Sequence, residues 1–359
     1  MKIITRYVLR EFLKTLLFSV VAFGGLVLIS EFFRELDFYL EKKAGFGDVF
    51  IYLAYNFPWW TVQVLPISVL LAVLFSIGNM ARHNEITAMK AAGINVWRIL
   101  SVLFICGIFI GAGEIFLRER VIPDFVKKAE IIRSEKIKKE IEPAQFEFRN
   151  IMLSLPDNGR LTLSYLNIRS NVMSNLIIDY HDENLNLKRQ LVAQSGAWLN
   201  GGWVLRNGVE RKFSGNGWID SYFNEKSFAI PLRPEDFILP SVRPEQMTSG
   251  EYIALIRQME KMGFSTKREE IQFYSRWASA FSHIIVMLIG IPFALGLGSK
   301  YGKIISFSFA VLFAFIYWGF QAIGQSFGQN GLITPLLAAW LGNIVFGVIG
   351  LGFLSNVKR

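Results

Sequence analysis

The chain has 359 residues, is 52% hydrophobic, has a mean hydropathy of +0.36 and carries a formal net charge of +9. So apolar a composition excludes a disordered chain. The basic excess sits at the ends of apolar runs, which excludes a nucleic-acid role, and a single cysteine, Cys106, excludes a disulfide framework.

Lys2, Arg6, Arg10 and Lys14 come first, and their spacing of four places them along one face of a helix. That face suits the inner headgroup layer, or it is the ordinary basic flank of a membrane span. Residues 15–30 (TLLFSVVAFGGLVLIS) form span one and lead into Glu31-Phe-Phe-Arg-Glu35 rather than a small-residue cleavage site, so no cleaved signal is expected. Residues 49–81 are uncharged and form span two, with Pro58 and Pro66 as kink positions. Asn84 to Gly93 then reads as a short helix. Asn84 is its N-cap, Glu85 sits in the first turn, Ile86 and Met89 share one side, and Gly93 takes the C′ position. Such an element is a cytoplasmic docking knob or a connector lying flat on the membrane. Span three, 96–117, contains one acid, Glu114.

Residues 118–142 extend that helix until Pro143, and the period then changes from helical to two: Leu161, Leu163 and Tyr165 alternate with Thr162 and Ser164. Four Asn-Gly pairs (158–159, 200–201, 207–208, 216–217) signal hairpin turns, because type I′ turns need positive φ. About eight to ten short strands over 144–232, arranged as a sandwich or open barrel, are expected from this pattern. Pro231, Pro234, Pro240 and Pro244 mark a linker, and 248–262 reads as a helix capped by Thr248 or Ser249. Span four, 277–299, carries His283 and Pro292. Residues 304–357 then run without an Asp, Glu, Lys or Arg, too long for one crossing. Gly324, Gly328, Gly331 and Pro335 break that run into spans at 304–325 and 334–355.

The expected fold is a polytopic α-helical membrane protein with six transmembrane helices (3 + 3) and an inserted extracytoplasmic all-β, jellyroll-like domain. Its parts are membrane half one (1–117), a helical extension (118–142), the β domain (143–240), a linker and helix (241–270) and membrane half two (271–359). Of the 67 charged side chains, 44 fall in 118–270, which marks that stretch as hydrated. Basic residues favour the cytoplasmic side of span ends. Arg82, Lys90, Arg98, Lys300, Lys303, Lys358 and Arg359 join the N-terminal group there, whereas the opposite loops hold Arg34, Lys42 and Lys43 among five acids. Both termini are therefore expected in the cytoplasm and the β domain outside.

Catalytic signatures are missing. Gly298-Ser-Lys-Tyr-Gly-Lys303 has the wrong spacing for a P-loop, no nucleophile motif occurs, and His83, His181 and His283 fall in three compartments. No enzyme activity, cofactor or metal is expected. Candidate binding residues lie instead at the outer membrane rim: Glu31, Arg34, Glu35 and Asp37 after span one, Glu114, Arg118 and Arg120 at span three, and Arg276 before span four. Ionisable groups at that depth pair with one another or face a cavity. Arg34 and Arg276 are the expected phosphate contacts, because arginine suits bidentate recognition. Gly107-x-x-x-Gly111 and Gly324-x-x-x-Gly328 permit close helix approach.

The opening ITRYVLREFLK, the run ARHNEITAMKAAGINVWRIL, the stretch FYSRWASAFSHIIVMLIGIPFALGLGSKYGK and the 3 + β + 3 layout together resemble the LptF/LptG family of lipopolysaccharide-export permeases. The resemblance covers essentially the whole chain, and of the two paralogous branches the LptG-like one is preferred. It implies a permease subunit of an ATP-driven exporter in a Gram-negative inner membrane, taking lipopolysaccharide to a periplasmic bridge protein of jellyroll domains. Implied partners are a homologous permease subunit and a cytoplasmic ATPase dimer, with Glu85 on the helix seated in the ATPase groove. Some relatives carry a basic residue where this chain has Glu31, which leaves Arg34 one turn further on as the available cation. The competing readings are a membrane enzyme modifying envelope lipids and a scaffold recruiting periplasmic partners.

Overall fold

The computed structural model describes all residues except Met1, 139–146, 156–157, 183, 185, 200, 215–216, 231, 235–242, 297 and 356–359. Pro143, Asn200, Asn216, Pro231, Pro240, Lys358 and Arg359 lie outside the described residues, as do the side chains of Lys2, Arg98, Lys300 and Lys303. Two compact units result: a helical one (Met1–Glu140, Arg243–Ser249, Lys267–Arg359) and a β one (Ile141–Val242, Gly250–Thr266).

Six helices are long and apolar enough to cross a membrane: Ile3–Arg34, Phe46–Arg82, Leu100–Lys138, Lys267–Leu295, Phe307–Gln329 and Pro335–Ser355. Three precede the β insertion and three follow it, and the chain is a multi-pass membrane protein. The helices are α1 (Lys2–Arg34), α2 (Leu36–Glu41), α3 (Phe46–Arg82), α4 (Glu85–Ala91), α5 (Val96–Phe116), α6 (Ile122–Ile132), α7 (Ser249–Lys261), α8 (Lys267–Gly296), α9 (Gly298–Gln329) and α10 (Pro335–Ser355). Apolar all round, α3 is the central helix, and it runs unbroken through Pro58 and Pro66. Val69, Leu70, Val73, Leu74 and Ile77 on α3 meet Val8 and Phe12 of α1, Leu103 of α5, Met287 and Ile291 of α8 and Phe313 of α9 in one core.

Small residues set the tightest seams. A Cβ on Gly111 would stand 2.6 Å from the Ala280 carbonyl oxygen, and one on Gly324 would stand 2.6 Å from that of Ala338. Both glycine pairs thus close helices on each other, α5 on α8 and α9 on α10. Because Gly324 and Gly328 serve packing, α9 continues past the expected 325 to Gln329, and the turn falls at Gly331, where φ is +76°. There Leu332 N–H donates to Phe327 O at 2.9 Å, the longer bond of a Schellman motif.

The β unit differs from expectation in strand number. Among the described residues there are six strands of 9–13 residues: β1 (Glu147–Leu155), β2 (Gly159–Asn167), β3 (Val172–His181), β4 (Leu187–Leu199), β5 (Gly202–Ser214) and β6 (Gly217–Phe228). They form one antiparallel sheet in sequential order, an up-and-down meander. The Asn207-Gly208 pair is the clearest correction: it lies inside β5, not in a turn. Asn207 does take positive φ (52°), as do Asn150 on β1 (53°) and Asn175 on β3 (50°). With Ser164, Gln194 and Asn224 these residues face one another across all six strands, in the gaps of the paired register. All six are exposed. Along β2 the buried residues are Gly159, Leu161 and Leu163 before this row, then Leu166 after it, so the pleat changes phase there. The same switch occurs on β4, from Leu191 and Ala193 to Gly196. Two successive outward residues bend a strand as a bulge does. Aligned across six strands, the bends crease the sheet, and both halves face one core of Leu163, Leu176, Leu191, Trp203 and Leu205. Strands read as two short ones are therefore single creased ones.

Candidate functional site

Polar side chains of the helical unit collect where α1 ends, α3 begins and α5 gives way to its extension. They line two adjoining cavities, of about 420 and 480 Å³, that share Val27, Trp59, Gln63 and Glu245. In hydrocarbon an unpaired polar group costs free energy, so groups kept here are paired or face a hollow.

Arg34 lines the first cavity together with Glu31, Glu35, Arg133 and Arg243. It forms an ion pair with Glu31, one turn back, and lies 4.0 Å from Glu35. Its side chain is 67% exposed, so these pairs contribute little to stability. Arg133 is held harder: Nη2 donates to Glu35 at 3.1 Å and Nη1 to the Tyr52 hydroxyl at 3.0 Å. Glu31 thus occupies the cation nominated for a phosphate.

Arg276 lines the second cavity, but its guanidinium donates to the carbonyls of Met247 (3.0 Å) and Pro244. Those carbonyls belong to a strap, Arg243–Ser249, whose far end is bonded through Ser249 to Glu119 and whose near end sits 3.6 Å from Glu130. Arg276 is a fastener of that strap as well as a wall of the cavity.

Beneath the second cavity lies a cluster that sequence reading did not assemble. Arg118 Nε donates to Glu114 Oε1 at 2.8 Å, Ser279 Oγ donates to the same oxygen at 2.5 Å, and His283 Nε2 meets Oε2 at 2.7 Å. The Glu114 and His283 side chains are fully buried. One acid alone in span three and one histidine alone in span four were the available signal, since lone ionisable groups in apolar spans seek each other. Ser282 and the Tyr317–Asn343 pair, 2.8 Å apart, continue this polar seam between α8, α9 and α10. Both π-helical turns of the α5 extension, Leu117–Val121 and Arg133–Lys138, carry a cavity arginine. Such turns are frequent at functional sites.

At the other end of the bundle, α4 forms as read but is capped differently. Asn84 is left-handed (φ 58°) and makes no side-chain cap bond. Gly93 takes φ +73° and, with Ile94 N–H donating to Met89 O at 3.0 Å, closes a Schellman motif. Ile86 is buried and Met89 packs against the same bundle core, so these two residues anchor the helix instead of presenting it. Glu85 accepts a 3.3 Å bond from the Tyr7 hydroxyl of α1. Thr87, Ala88, Lys90 and Gly93 form the exposed side.

No group of three His, Cys, Asp or Glu side chains suited to a metal occurs among the described residues. Six membrane-crossing helices in two sets of three, a β insertion and an arginine-lined hollow define a polytopic membrane protein. The chain belongs to the lipopolysaccharide export system permease LptF/LptG family, whose model matches residues 6–356. It is thus a transporter component. No curated protein matches the chain in a sequence comparison.

Proposed function

We propose that this chain is the LptG-like permease subunit of an ATP-driven exporter that lifts lipopolysaccharide out of a Gram-negative inner membrane. It pairs with a homologous permease, hands the lipid to a periplasmic jellyroll bridge through its β unit, and takes energy from a cytoplasmic ATPase dimer. Both termini and α4 then face the cytoplasm, and the β unit faces the periplasm, in keeping with the basic bias of the span ends. The observation that carries this reading is the family match over residues 6–356 on a six-helix bundle with arginine-lined cavities. In it α4 enters the ATPase groove by its exposed side, with Asn84, Glu85 and Gly93 at its two ends. Ile86 and Met89 pass its motion into the core, and the Tyr7–Glu85 bond passes it to α1. Substrate reaches the rim at Arg34, Glu31 and Arg276.

Reconstituted full-length protein, co-purified with its partners, tests the proposal. The expected preparation contains a nucleotide-hydrolysing protein and a second permease, and releases lipopolysaccharide to a jellyroll acceptor only with ATP. Glu85→Lys should abolish coupling while the fold persists, since a reversed charge at a helix N-terminus costs only about 0.3–1 kcal/mol. Wild-type ATPase association and transport in that variant would remove Glu85 from the coupling path.

A further inference from the structure

We infer that Arg118 is a cation that receives a phosphoryl group in the 480 Å³ cavity, with Glu114 as its positioning residue. The inference rests on the exporter reading and assigns a part of the substrate to one side chain. Arg118 lines that cavity. Its Nε is spent on Glu114, and its Cζ lies 5.2 Å from the Trp59 ring centroid. Both terminal nitrogens remain without a hydrogen-bond partner among the described residues. A guanidinium held by one edge and one face, with its fork left open, is pre-organised for a tetrahedral oxyanion.

Glu114 is what makes that orientation persist. Its Oε1 accepts from Arg118 and Ser279, and its Oε2 from His283, so the carboxylate has no freedom to swing. Its three donors come from both membrane halves, Arg118 from the extension of α5 and Ser279 and His283 from α8, which locks the guanidinium to both. The π-helical turn at Leu117–Val121 adds a further constraint, because it sets the direction in which Arg118 leaves the helix. Arg276, by contrast, gives two nitrogens to strap carbonyls, and Arg34 lies in ion pairs with Glu31 and Glu35. Gln63, Gln272, Ser275 and Gln321 line the same hollow and give it a neutral polar wall.

The test uses full-length protein with its partners in lipid nanodiscs, carrying a photoreactive residue at Gln325 on the cavity wall. Capture is compared for lipopolysaccharide and for the same glycolipid with its phosphates removed, and binding of inorganic phosphate is followed by calorimetry. Wild type should favour the phosphorylated lipid by about tenfold, the loss expected for one charge-assisted contact. Arg118→Gln should bring the ratio to about one, and Arg118→Lys should fall between, since the charge stays and the fork goes. Glu114→Gln keeps the cation but frees it, and should lower the ratio without removing capture. Because Arg118→Gln leaves Glu114 buried beside no cation, the double variant Glu114→Gln/Arg118→Gln is measured alongside. Calorimetric phosphate binding that Arg118→Gln abolishes, without any lipid preference in wild type, would assign the site to the free anion. A ratio and phosphate binding that survive both Arg118 variants would overturn the inference while leaving the exporter reading intact; wild type that captures neither glycolipid would sink the exporter reading instead.

Discussion

The helical and β units place polar and apolar groups in opposite ways. On the helical unit the exposed side chains are large and apolar, Leu17, Phe18, Phe109 and Phe315 among them, while Glu114 and His283 are fully buried inside. On the β unit the core is Leu161, Leu176, Leu191 and Leu205, and the exposed face carries Asn150, Asn175, Gln194 and Asn207. Each unit has the surface that its solvent dictates: hydrocarbon for one, water for the other. The same chemistry therefore has different value in each. A carboxylate in the bundle must be satisfied by protein, so Glu114 takes three donors; in the β unit the buried Glu210 is shared between Arg189 and Lys226, whose own side chains are 35% exposed.

The largest expected effect comes from breaking the buried cluster. Glu114→Ala strands Arg118, Ser279 and His283 and should cost about 3–5 kcal/mol, the usual penalty for removing one partner of a buried pair. Thermal unfolding in detergent measures it. A loss below about 1 kcal/mol would mean that water reaches the cluster and that the contrast between the two interiors is overdrawn. The next test acts on the surfaces. Phe109 is 72% exposed on α5, and Phe109→Lys should disfavour membrane insertion by about 3 kcal/mol, read in a glycosylation-mapping assay. Tyr222, 83% exposed on β6, should accept lysine within about 0.5 kcal/mol. Equal effects at the two positions would break the comparison outright.

A smaller effect should appear with pH. The Lys226 hydrogen bond, aided by the nearby Arg189 charge and opposed by burial, holds the Glu210 carboxyl below its ordinary value. A depressed folded-state pKa means stability that is present above the unfolded value, about 4.3, and lost as pH falls through the folded one. Glu210→Gln should therefore destabilise the β unit at neutral pH by about 1.5 kcal/mol, with the difference from wild type shrinking in acid. A pH-independent difference would show that packing, not charge, accounts for it.

Some features were readable without the fold because they follow from local rules. Charge-free runs of about 20 residues or more must be spans, as hydrocarbon offers no partner for a charge or a free backbone group. Gly93 wants positive φ at the end of α4, and the structure has it there. Period-two runs and Asn residues that tolerate positive φ likewise marked a β region. Whether a given Asn turns the chain or creases a strand is not local, however. Asn207 lies mid-strand because Ser164, Asn175, Gln194 and Asn224 occupy the same level on neighbouring strands, an alignment that pairing alone creates. The candidate site divides in the same manner. That arginines cluster near the ends of α1, α5 and α8 was legible from their positions. Which of them is engaged was decided by packing: Glu31 takes Arg34, strap carbonyls take Arg276, and Glu114 turns Arg118 toward the cavity. Composition and spacing determine which solvent each segment must face, since that cost is borne residue by residue. Partners distant in sequence, such as Glu114 and His283, 169 positions apart, meet only when helices pack, and tertiary structure alone decides them.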